Sequence, residues 1–176
     1  MDEKLPKRKP TRLSNFNYSR GGAYFLTICT QGRKRILSQI VGTEKEKPVG
    51  DGALDIPKIR LTRYGKIVEK YILSTNNIEG VFVDKYVIMP NHIHLILCVN
   101  NDGMSRASSP TRQNSVVSHT VSTLKRFVNK EIGENIFQRS FYDRIIRNRD
   151  EYMEICNYIY LNPQTWQQDE LYNQKD

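Results

Sequence analysis

The chain is poor in cysteine, in tryptophan, in acidic residues and in long apolar runs. Its three cysteines, Cys29, Cys98 and Cys156, lie far apart and form no Cys-x-x-Cys pair. An odd, scattered set argues against a disulfide framework and for a reducing compartment, with each thiol a small buried hydrophobe. A zinc site built from Cys98 with His119 or Cys156 would lack any ligand spacing typical of zinc. No apolar run approaches the roughly eighteen residues that a bilayer span needs. The N-terminus is polar and basic and has no apolar signal-peptide core. The expectation is a cytoplasmic protein with no membrane partner. Acidic residues are in deficit, 19 against 27 Lys and Arg, for a formal net charge of +8. That balance argues for an acidic partner, of which nucleic acid is the commonest. A length of 176 residues is enough for one domain with a real core.

Along the chain, residues 1–20 read as a basic arm, with Lys4, Lys7, Arg8, Lys9, Arg12 and Arg20 among two prolines. Gly21-Gly22 opens a first strand over Ala23–Thr30, in which Tyr24, Leu26 and Ile28 share one side. Residues 31–60 form a loop-rich excursion in which Ser38–Val41 and Lys58–Leu61 can pair as a hairpin around a polar segment, 43–55. Helical spacing follows over 62–76, with Thr62 as N-cap. Two strands follow, 81–89 and 92–99, broken by Pro90-Asn91. The polar stretch 100–114 reads as a flexible loop. An amphipathic helix over 115–132, a strand over 141–146 and a helix over 149–162 complete the pattern, and Pro163 stops the last helix. The order β-α-β-β-α-β-α predicts an α+β domain of the ferredoxin-like, split βαβ kind, an antiparallel sheet with helices packed on one face and the helix of Tyr158 at the C-terminus. That domain covers residues 21–166, followed by a tail over 167–176.

The most apolar run, Tyr86–Val99, contains two of the three histidines, His92 and His94. Strand alternation puts both imidazoles on one face, with Ile93, Leu95 and Leu97 on the other. In the last helix, Tyr158 and Asn162 are one turn apart and share a face. Laid over the His strand, that face gives His92, His94 and Asn162 as three ligands suited to Mg²⁺ or Mn²⁺. Tyr158 then stands as a nucleophile toward a phosphodiester. Taken singly, a His-x-His strand is more often structural than metal-binding, and a helix tyrosine more often packs in a core. The basic residues Lys125, Arg126, Arg139, Arg144 and Arg147 are candidates for phosphate contacts, against the alternative of solvated faces. Tyr142 and Trp166 are candidates for stacking on unpaired bases, with tail packing the stronger reading for Trp166.

Four ordered stretches resemble the HUH-type single-tyrosine transposases, particularly the REP-associated tyrosine transposases of bacteria. They are Arg20–Thr30, Tyr86–Leu95 with its Met-Pro-Asn-His-Ile-His, Phe137–Arg147, and Tyr158–Pro163. Phe137 stands where the family usually has tryptophan, and 100–114 matches no motif. The resemblance implies a metal-dependent transposase that nicks and rejoins single-stranded DNA near hairpins through a 5′-phosphotyrosine. It implies Tyr158 as nucleophile, His92, His94 and Asn162 as the metal shell, and Mg²⁺ or Mn²⁺ as the ion. Single-stranded or hairpin DNA would be the partner, with monomer and homodimer both open. The alternative is a non-catalytic or domesticated nucleic-acid-binding protein on the same fold. A binding module has no need of His92, His94, Tyr158 and Asn162 together.

Overall fold

The computed structural model describes residues 22–41, 57–100 and 116–172. The basic arm expected at 1–20, the polar segment 43–55 and the loop expected at 100–114, apart from Asn100, lie outside the described residues. So does 173–176 of the expected tail.

Four strands, β1 (Gly22–Cys29), β4 (Val81–Ile88), β5 (His92–Val99) and β6 (Tyr142–Ile146), form one sheet in the order β4-β5-β1-β6. Every neighbouring pair is antiparallel, which is the expected split βαβ arrangement, with β1 and β5 central. The expected hairpin is present as a separate two-stranded sheet of β2 (Ser38–Val41) and β3 (Lys58–Leu61). Helices α1 (Arg63–Ser74) and α2 (Val116–Ile132) cover one face of the large sheet. Their Val68, Ile72, Val121, Leu124 and Val128 pack against Tyr24, Leu26, Ile28, Ile93, Leu95 and Leu97. Helix α3 (Arg149–Leu161) covers the opposite face, where Ile155 and Ile159 meet Val87, Met89 and Ile96.

Strand β5 is therefore covered on both faces, which explains why it reads as a continuous apolar run rather than an alternating one. Its pairing with β1 sets Cys29 opposite His92 and Thr27 opposite His94. The preceding Met89-Pro90-Asn91 turn is held through its carbonyls. Leu37 N–H donates to Pro90 O and Thr30 N–H to Asn91 O, each at 2.9 Å.

At the far edge, a register shift between Val83 and Lys85 leaves Asp84 without a partner on β5. This bulge presents the Asp84 carboxylate to the Tyr152 hydroxyl of α3, which donates a short hydrogen bond to it. The N-terminus of α3 is capped by Asn148, whose side chain accepts from Glu151 N–H at 2.8 Å. Helix α3 is thus tied to the sheet at its start and packed along its length. Its last turn, which carries Tyr158, comes to lie over β5.

Helix α1 shows how tightly the excursion is docked. The Thr62 hydroxyl accepts from Gly65 N–H at 3.1 Å and contacts the carbonyl oxygens of Ile36 and Leu37 at 2.6 and 2.9 Å. A Cβ on Gly65 would lie 2.0 Å from the Leu37 carbonyl oxygen. Helix propensity alone makes Gly65→Ala stabilising by up to about 1 kcal/mol. Displacing a backbone carbonyl costs about 1–3 kcal/mol by comparison with other overpacked sites. Gly65→Ala is therefore expected to lower the urea midpoint, and an unchanged or raised midpoint would contradict the close approach.

Candidate metal and tyrosine site

The histidine pair is almost sealed from solvent. His92 is 0 % exposed and His94 3 %, with ring centroids 4.4 Å apart. Each ring is held at Nδ1. His92 Nδ1 lies 2.8 Å from Asn91 Oδ1, and His94 Nδ1 lies 2.9 Å from Thr27 Oγ1. Anchoring both Nδ1 atoms leaves both Nε2 atoms directed to the α3 side, the arrangement by which outer partners orient metal-ligating imidazoles. Burial above all holds both rings neutral, with pKa values pushed down to about 3. The Arg33 charge adds to this at His92, and His92 itself at His94, where Asp169 opposes. A neutral imidazole is the form that ligates a cation.

Helix α3 brings the remaining parts. The Tyr158 hydroxyl lies 3.2 Å from His94 Nε2 and 3.5 Å from Asp169 Oδ2. Asn162, buried at the end of α3, donates from Nδ2 to the same Asp169 oxygen at 3.1 Å. That oxygen lies 4.0 Å from His92 Nε2. His92 Nε2 and Asn162 Oδ1 are buried without hydrogen-bond partners. Two orphaned polar atoms of this kind carry a desolvation penalty that a bound cation would remove. One donor atom from each of His92, His94 and Asp169 lies within 4.8 Å of the others, a spacing that could hold a metal ion. Two imidazoles, a carboxylate and a carboxamide suit a divalent ion.

Asp169 is the site residue that sequence reasoning missed. Of the expected tail, residues 167–172 fold back on the sheet. Asn91 Nδ2 donates to Leu171 O at 2.8 Å, and Leu171 N–H donates to Asp169 Oδ1 at 2.6 Å. Trp166 is buried beside His92 and Tyr172 rather than offered to a base. No periodicity marks Asp169. The Asn91 side chain serves both His92 and this segment, a link visible only in the folded chain.

Beside Tyr158 an open cavity of about 710 Å³ is lined by Phe25, Thr27, His94, Tyr142 and Asp169 among others. Tyr142, 59 % exposed on edge strand β6, pairs with Thr27 and so shares the histidine face. Burial, then the Asp169 charge, push the Tyr158 phenol up to about 12. Without a cation the Tyr158 phenol is thus held protonated.

The basic candidates separate. Lys125 is engaged, its ammonium donating to the carbonyls of Gln138 at 2.9 Å and Ser140 at 3.0 Å, and burial lowers its pKa to about 8. Arg144 shares the histidine face through its pairing with Phe25 and contacts Glu151 at 2.6 Å. Arg126, Arg139 and Arg147 are exposed. Arg126 lies over the Phe127 ring on α2, away from the site face.

A ferredoxin-like sheet with helices on both faces, a buried His pair and a helix tyrosine beside it define the fold and its candidate site. The chain resembles the REP-associated tyrosine transposases in fold and, remotely, in sequence. No protein-family model matches the chain. It is 29 % identical over 185 residues to an uncharacterized protein of Haemophilus influenzae, covering 94 % of this chain and 93 % of that one. It is 22 % identical over 146 residues to the REP-associated tyrosine transposase of Escherichia coli, covering 83 % and 68 % respectively. A solved REP-associated tyrosine transposase bound to a REP hairpin superposes with a TM-score of 0.60 at 19 % identity, covering 88 % of this chain and 74 % of that one. No helix among the described residues is long and apolar enough to cross a membrane.

The histidine pair makes the metal-free protein acid-sensitive. Each imidazole titrates near 6.5 when unfolded and near 3 when folded. Between those values the unfolded chain binds more protons, so stability falls as pH falls through that window. The thermal midpoint of metal-free protein is expected to drop between about pH 6.5 and pH 4. The slope should flatten in the His92→Gln/His94→Gln double variant. An equal slope in both proteins would remove the histidines as the cause.

Proposed function

We propose that the protein is a metal-dependent transposase that cleaves and rejoins single-stranded DNA near hairpins, with Tyr158 as nucleophile. The observation that carries the reading is the Tyr158 hydroxyl, 3.2 Å from His94 Nε2 and 3.5 Å from Asp169, at the wall of an open cavity. The partner is single-stranded or hairpin DNA. The resemblance to a transposase solved on a REP hairpin supports this. The metal site consists of His92, His94 and Asn162 with Asp169 added, and the ion is Mg²⁺ or Mn²⁺, the hard cations that accept oxygen ligands beside imidazole. Such an ion would supply Lewis-acid polarisation of a phosphodiester and favour the phenolate.

The chain's own residues do the rest. Asn91 and Thr27 fix the two rings. Helix α3, tied down by Tyr152 and Asp84, sets the height of the Tyr158 hydroxyl over the histidines. In the reaction the Tyr158 oxygen loses its proton to water and bonds to phosphorus. The bond from phosphorus to the 3′ oxygen breaks, and that oxygen takes up a proton. The product is a 5′-phosphotyrosine and a free 3′-OH. Because one ester replaces another, a second 3′-OH can reverse the step without ATP. Tyr142 and Phe25 supply aromatic faces along the cavity for unstacked bases. Residues 21–166 with the returning segment to 172 act as one catalytic domain.

The test is a denaturing gel of the purified protein with Mn²⁺ and hairpin oligonucleotides that carry single-stranded flanks. A covalent adduct is expected for the wild type and none for Tyr158→Phe. His92→Ala should slow adduct formation by at least about a hundredfold, since even outer partners of metal ligands matter 10- to 100-fold. Binding of the same hairpins without adduct would favour the non-catalytic binding module. Asp169→Ala and Asn162→Ala should each weaken Mn²⁺ binding by calorimetry about tenfold or more. Unaltered affinity in either variant would remove that residue from the metal shell.

A further inference from the structure

Strand β1 ends at Cys29, directly opposite His92. The chain then turns back sharply. Gly32 and Arg33 are both left-handed, with φ of 65° and 57°, and Arg33 N–H returns to Thr30 O at 3.1 Å. Among the described residues Arg33 is the one non-glycine with positive φ. Strain of this kind in an L residue persists where the surroundings impose it and gathers at ligand-binding sites. The turn keeps Arg33 at the metal end of the sheet. Yet the Arg33 and Lys34 side chains are exposed and have no acidic partner among the described residues. The exposed Arg139 joins the same rim. Thr30 bridges to Phe137, and Gln138 N–H donates to Cys29 O at 2.9 Å.

We infer that Arg33, with Lys34 beside it, is a phosphate clamp that holds the DNA backbone flanking the scissile bond at the His92 end of the cleft. This rests on the reading of the site as DNA-cleaving. A cation left unpaired beside a cation-binding site is electrostatically unfavourable unless an anion lies between them. A polyanionic strand crossing from the metal to the rim meets that condition. Arginine suits it, because a planar guanidinium can take two oxygens of one phosphate. Arg33 is a positioning residue here, holding a phosphate that does not react.

The clamp can be tested with a fluorescein-labelled hairpin oligonucleotide carrying single-stranded flanks, followed by anisotropy across a salt series. Arg33→Gln should bind more weakly and lower the slope of log affinity against log salt by about 0.7, the value for one phosphate contact on a single strand. Arg33→Lys should restore most of the slope. A single uncharged methylphosphonate, stepped along the flank, should weaken the wild type at one position and leave Arg33→Gln unchanged there. Arg33→Gly relieves the left-handed strain and should raise the thermal midpoint by a few degrees while losing the same contact. A merely structural arginine would not give greater stability with weaker DNA binding. Mn²⁺ affinity should be unchanged in all of these variants. If the wild type forms its Tyr158-dependent adduct and Arg33→Gln keeps the full salt slope, the clamp is wrong and the catalytic reading stands. If the wild type binds none of the oligonucleotides, both fall together.

Discussion

The structure depends on the burial of β5 from both sides. A central strand in an antiparallel sheet usually has one face to spare. Here α1 and α2 take one face and α3 the other. The consequence is electrostatic as much as mechanical. His92 and His94 sit where water is excluded, so protonation is disfavoured and their Nε2 lone pairs stay available. In a solvated strand the same two residues would be protonated over part of the physiological range and free to rotate. Burial keeps them in the form that can ligate a cation, and the bonds to Asn91 and Thr27 choose which nitrogen is presented.

The same burial would be a liability without a counterpart. Polar atoms left unpartnered in a core cost about 1–3 kcal/mol each. His92 Nε2 and Asn162 Oδ1 are two such atoms, the first in the same small space as Asp169 and the second on a side chain whose Nδ2 donates to that carboxylate. A fold optimised for stability alone would fill these positions with apolar side chains. Keeping them places the instability where a cation would relieve it. Asp169 sharpens the point. Its charge helps hold the Tyr158 phenol protonated, and the same carboxylate would ligate an ion that draws the phenol the other way. The Tyr158 phenol and the candidate metal cluster are therefore coupled through one carboxylate.

Much of this was legible in the sequence, for identifiable reasons. Strand alternation alone placed His92 and His94 on one face, and helical spacing alone placed Tyr158 and Asn162 together. Both are local regularities that tertiary packing did not disturb. The β2–β3 hairpin was legible from paired short strands around a polar stretch, and its bounds fall at Ser38–Val41 and Lys58–Leu61. Asp169 was not legible because it lies in irregular chain, where no period says which way a side chain faces. Lys125 looked like any surface lysine on an amphipathic helix. Only the return of the 138–140 carbonyls over it turns its ammonium inward. The bulge at Asp84 was equally hidden, since one extra residue in a strand changes a partner without changing composition.

The turn after β1 brings these strands of argument together. Its basic residues were unremarkable as sequence, being three among 27. They acquire meaning from register, because Cys29 is the residue opposite His92 and the chain reverses within one turn of it. Arg35 is turned to the interior side, over the rings of Trp166 and Tyr172. It thereby braces the segment that presents Asp169. Arg33 and Lys34 remain outside. One basic run thus divides between packing under the returning segment from within and charging the rim of the candidate site from without. An arginine held at positive φ is an expensive way to make a loop, and glycine, which already occupies position 32, would serve the backbone better at position 33.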